Sequence, residues 1–61
     1  MGKRALKRRI ESLQRRIIDH ELMINFELLK SNPDPGLIQH WKREIVALKI
    51  SIDNAQKRLN S

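Results

Sequence analysis

The sequence predicts an all-α fold: an antiparallel two-helix hairpin that dimerises into a four-helix bundle. Three observations predict it. Pro33, Pro35 and Gly36, with Asn32 and Asp34 beside them, gather nearly all the turn chemistry within residues 32–36, at the midpoint. The flanking segments are rich in Leu, Ile, Arg, Lys, Glu and Gln and have no internal Gly or Pro, which suits long helices. Each segment also repeats an apolar residue every three or four positions and still has apolar residues to spare.

Helix 1 is expected over about residues 3–31. Leu6, Ile10, Leu13, Ile17, His20 and Ile24 form its seam in a 3-4 alternation with one polar member. Proline biases the residue before it away from helix, so Asn32 ends this segment. The turn covers 32–36. Asp34 followed by Pro35 reads as an N-cap with proline at the first helical position, where its missing N–H costs nothing. Helix 2 is therefore expected over about 35–60, with the seam Ile38, Trp41, Ile45, Leu48, Ile52, Ala55 and Leu59. Each helix would be roughly 40 Å long at 1.5 Å per residue. So short a connection makes them antiparallel neighbours in one domain spanning 1–61. The seams should zip with Ile24 close to Ile45 and Ile17 level with Ile50 to Ile52. Glu11 with Arg15 and Asp53 with Lys57 stand at ion-pair spacing, worth a few tenths of a kcal/mol each.

The seams leave Ile18, Leu22, Phe26 and Leu29 on helix 1, and Val46 and Ile50 on helix 2. At 100° per residue these second stripes fall on one broad side of the hairpin, in the half nearest the loop. Exposed contiguous apolar surface marks an interface, and a two-fold homodimer is its simplest closure. The alternative is that the helices tilt and absorb part of the patch. A chain of 61 residues without cysteine has neither disulfide staples nor thiolate metal sites, and short scaffolds of that kind rely on regular helix packing or association.

The net charge of +6 is unevenly placed. Residues 1–18 hold seven basic side chains against Glu11, whereas residues 19–61 hold six of each sign. Arg4, Lys7, Arg8 and Arg15, continued by Lys57 on helix 2, occupy toward the termini the sector that Leu22 and Phe26 hold near the loop. Clustered cations of this kind are the footprint of a nucleic-acid binder, DNA or RNA, reading phosphates rather than bases. A solvated charged face is the competing reading. Another is a protein-interaction module, its apolar patch docking a partner's hydrophobic groove or its cations meeting an acidic protein surface. A membrane-surface helix ranks behind both, because the apolar stripe of residues 6–17 is only about 60° wide.

No enzymatic chemistry is expected. There is no nucleophile–base pair, glycine-rich phosphate loop or carboxylate pair, and His20 and His40 lack metal-ligand spacing. No catalytic residue, cofactor or metal ligand is assigned, and His20 is read as a hydrogen-bonded seam residue that fixes register. The longest apolar run, Ile45 to Leu48, is too short to span a membrane, and no apolar stretch follows the basic start as in a signal peptide. A cytoplasmic location is the default expectation. In length and layout the chain resembles the Rop-type plasmid regulators, helical hairpins that dimerise into a four-helix bundle and bind RNA, though no motif is shared and no residue is carried over. Residues 41–50, WKREIVALKI, resemble the second helix of a small hairpin protein of the large ribosomal subunit. Ala47 and Leu48 stand where that family favours basic side chains.

Overall fold

The computed structural model describes residues 2–60; Met1 and Ser61, the ends of the expected domain, lie outside the described residues. Two α-helices, α1 (Lys3–Leu28) and α2 (Pro35–Asn60), pack against each other as a hairpin rod of 47 × 14 × 13 Å. Each helix has 26 residues, about 39 Å at 1.5 Å per residue. Among the described residues there is no strand.

The start of α2 is built as expected. The Gly36 and Leu37 N–H groups donate to Asp34 Oδ1 at 2.9 and 3.3 Å. The Ile38 N–H donates to the Asp34 carbonyl at 3.2 Å, the first helical bond. Asp34 is thus the N-cap, and Pro35 sits where no donor is required. Gly36 belongs to the helix rather than to the turn, and no described residue has positive φ. What Gly36 supplies is room, since a Cβ there would stand 3.2 Å from Asp34 Oδ1.

The end of α1 differs from expectation. The helix stops at Leu28 rather than near residue 31. The pre-proline bias acts on Asn32 alone and sets only the latest point at which the helix can end. The earlier stop follows from Glu27, whose carboxylate turns toward the second helix. Oε2 accepts the Asp34 N–H at 3.0 Å and Oε1 pairs with Lys30 Nζ at 2.9 Å. The Leu29 and Lys30 N–H groups tighten onto the carbonyls of Phe26 and Glu27 at 3.2 and 3.1 Å. Residues 29–34 are then free to cross between the helices.

The seam is thin. Ile10, Ile24, Ile45 and Ala55 are the buried apolar residues, with Leu6, Leu13, Ile17, Ile38, Trp41, Leu48, Ile52 and Leu59 half-buried along it. Ile24 and Ile45 line one groove, as the seam pairing requires. His20 is half-buried and hydrogen-bonded, as expected of a seam histidine, but its partner is local: Nδ1–H donates to the Arg16 carbonyl at 2.7 Å, one turn back on its own helix. The Asp53–Lys57 pair closes at 3.2 Å with both ends exposed. Among the described residues no ion pair joins Glu11 to Arg15. Exposed pairs gain little over hydration, and Lys7 and Arg8 stand one turn below Glu11 and compete for it.

Candidate functional site

Two surfaces divide the rod along its length. Toward the loop it is apolar. Among the described residues nine large apolar side chains remain exposed, and all lie between residues 18 and 50: Ile18, Leu22, Met23, Phe26, Leu28, Leu29, Leu37, Val46 and Ile50. Phe26 is 66% exposed and Leu29 is 81% exposed, values at which neither side chain contributes to the hairpin's own core. The six residues expected as an interface are all among them. Ile18 and Leu22 share a groove with Ile24, Asn25, Lys42 and Ile45. Phe26, Leu29, Val46 and Ile50 are exposed outside its lining, so the apolar surface is broader than one stripe. Met23, Leu28 and Leu37 are exposed as well, Met23 in a separate groove with His20 and Leu48.

The solvent-accessible area is 5100 Å². A folded monomer of 7.2 kDa is expected to expose roughly 4,100 Å². The rod therefore leaves about 1,000 Å² more in water than a compact chain of its mass, close to the roughly 800 Å² that each partner contributes to a standard interface.

Toward the termini the surface is cationic. Lys3, Arg4, Lys7, Arg8, Arg9, Arg15 and Arg16 are all exposed, and the first turn of α1 contains no acid. Its N-cap, Gly2, offers no side-chain hydrogen bond. Lys3 and Arg4, in the first turn, oppose the helix dipole at a cost of about 0.3–1 kcal/mol each. Helix stability is therefore no reason for them to be there. At the same end, Lys57 and Arg58 occupy the last turn of α2, where the dipole favours positive charge.

The hairpin brings these two ends together. Arg9 and Arg58 share a groove with Leu6 and Ala55, and a second one with Gly2, Lys3 and Ala5. Neither arginine was singled out by sequence, because only the antiparallel packing places residue 9 beside residue 58. Of the residues expected to bind nucleic acid, Arg4, Lys7, Arg8 and Arg15 make no ion pair among the described residues. Lys57 is held by Asp53. No protein family, curated protein or solved structure matches this chain. The likeness to the Rop-type regulators and to the ribosomal hairpin thus rests on layout and on residues 41–50 alone.

Elsewhere the chemistry is sparse. His40 Nε2 lies 3.4 Å from Glu44 Oε1 on the exposed flank of α2. Among the described residues no three His, Cys, Asp or Glu side chains are grouped to hold a metal ion, and no helix is long and apolar enough to cross a membrane. Glu27 is the one charged residue buried among the described residues, at 5% exposure. The Lys30 ammonium and the Asp34 N–H hold its carboxyl below the ordinary value of 4.5, against the opposing pull of burial.

Proposed function

We propose that this chain is a small non-enzymatic homodimer that binds nucleic acid through the cationic end of its hairpin. One observation carries the reading: the exposed cations Lys3, Arg4, Lys7, Arg8 and Arg9 crowd the first two turns of α1 with no acid among them, and the helix dipole disfavours those of the first turn. Flexible cations on a helix flank suit phosphate oxygens, and no side-chain set for reading base edges is present, so binding tracks backbone charge and shape. The apolar half supports the dimer, because its nine exposed large apolar side chains are left without cover by the hairpin itself. Two hairpins joined there make a four-helix bundle.

Anisotropy titrations against duplex DNA, duplex RNA and single strands over a salt series test this. The expected slope of log K against log salt is roughly −3 or steeper, at about −0.9 per phosphate neutralised on B-DNA and −0.7 on single strands. Replacing Arg4 and Arg8 by Ala should flatten the slope while leaving helix content unchanged. Absence of binding at low salt would remove this reading. The exposed Phe26 and Leu29 favour the second reading, a module that docks another protein through the apolar half, and that one would then stand.

A further inference from the structure

Charge follows the same division as the exposed apolar surface. Residues 19–50, the loop-proximal half, carry five acidic and four basic side chains. The terminal half carries nine basic and two acidic ones. Two copies meeting through their apolar halves can lie with their loops at the same end or at opposite ends. In the first case the terminal halves face each other. Arg4, Arg8 and Arg15 stand about five, four and two turns below Leu22 in one unbroken helix, so they share its flank. A contact through Leu22 would aim them at their own copies. Helices packed about 8–10 Å apart would hold these cations within one Debye length, about 10 Å at 0.1 M salt. In the second case the apolar halves overlap and the cationic halves point apart.

We infer that the apolar half is covered by a second copy of this chain, docked antiparallel and offset, with one cationic arm projecting from each end. The rod as a whole exposes about 1,000 Å² more than a compact chain of its mass, above the roughly 800 Å² one partner contributes to a standard interface, and the charge distribution selects this arrangement over the side-by-side one. Two 47 Å rods overlapping over half their length span about 70 Å. The assembly would hold two nucleic-acid segments, one at each end, rather than grip one between paired arms. That consequence rests on the phosphate-binding reading; the arrangement itself does not.

The chain has no cysteine, so single spin labels can be placed cleanly. Ala5→Cys labels the exposed terminal end and Asn32→Cys the exposed connection. Pulsed dipolar spectroscopy without nucleic acid should give a 5–5 distance of about 60–70 Å and a 32–32 distance of about 20–30 Å. Two distances both below about 35 Å would mean paired loops and overturn the inference. So would an unsubstituted chain that sediments as a monomer at tens of micromolar. The unsubstituted chain also supplies a second readout. Between about 50 and 500 mM salt its dimer dissociation constant should change less than about threefold, whereas facing arms would make it tighten tenfold or more. A long 5–5 distance together with no affinity for DNA or RNA would remove the phosphate reading and leave the arrangement standing.

Discussion

The Asp34 N–H donates to Glu27 Oε2 at 3.0 Å, tying the last full turn of α1 to the cap of α2. Pro33 and Pro35 have no N–H, so Asp34 holds the only backbone donor among these three residues. In a capping box a Glu or Gln three residues past the cap reaches back to that donor. Here that position is Leu37, and Glu27 supplies the acceptor from the other helix.

This connection gives acid sensitivity a defined sign. Because the folded Glu27 carboxyl titrates below 4.5, its contribution is complete above that value and is lost as pH falls through the lowered folded value. Glu27→Gln keeps an acceptor for Asp34 but loses the ionic partner of Lys30. Urea midpoints should therefore differ between the two chains at pH 7 and converge as the pH falls below 4.5 through the lowered folded value. A constant difference across that range would show that the Glu27 charge does not matter to folding.

The cap itself should be worth more than its exposure suggests. Asp34→Ala removes the acceptor of two N–H groups and should cost about 1 kcal/mol, while Asp34→Asn or Asp34→Ser should cost less. Gly36→Ala would ordinarily stabilise a helix by nearly 1 kcal/mol. At this position the new methyl meets the pinned Asp34 oxygen, so the gain should vanish in the same denaturation series.

The hairpin was legible because its signals are local: proline spacing, an aspartate before proline, and 3-4 alternation act over a few residues. Glu27 was missed although it falls three residues after Ile24, on the next step of the seam rhythm. A charged residue at that step reads as the end of the apolar stripe. Its burial depends on a donor seven residues away that only the folded turn presents. The juxtaposition of Arg9 with Arg58 was hidden for the same reason, since helix pairing alone creates it. The apolar half was legible residue by residue, because Ile18, Leu22, Phe26, Leu29, Val46 and Ile50 fall outside the seams by spacing alone.

His20 illustrates a seam polar group satisfied locally. Its ring donates to the Arg16 carbonyl, so His20→Asn or His20→Gln should lower stability by about 1 kcal/mol or less, as for one exposed hydrogen bond. Register should not change. Cross-linking between cysteines placed at Met23 and Glu44, which line one groove with His20, would reveal any slip.

Association should depend on side chains that the hairpin itself does not use. Leu22→Ser with Phe26→Ser removes two exposed apolar groups, so a monomer would tolerate the pair almost without effect. If these residues are covered in a dimer, each should cost roughly 1.5–3 kcal/mol per protomer, and sedimentation should show dissociation. Ile24→Ala is the contrast. It empties the buried seam and should cost about 2–5 kcal/mol whatever the oligomeric state.

The cationic arm yields the last prediction, and the folded turn dictates its controls. Lys30 is a poor control for charge, because its ammonium holds Glu27 and its loss would disturb the connection. Arg43 and Lys49 are exposed cations in the loop-proximal half, outside the groove of Ile18 and Leu22, and serve better. Arg9→Ala should weaken nucleic-acid binding about as much as Arg8→Ala does, since both stand in the second turn of α1 and phosphate contacts are nearly interchangeable. Each replacement should flatten the salt slope by at most about 0.9 on duplex DNA. Arg43→Ala with Lys49→Ala should leave the slope unchanged while lowering net charge by two. Equal flattening at both ends of the rod would mean that total charge, rather than the placement of cations on the first turns of α1, draws the polyanion.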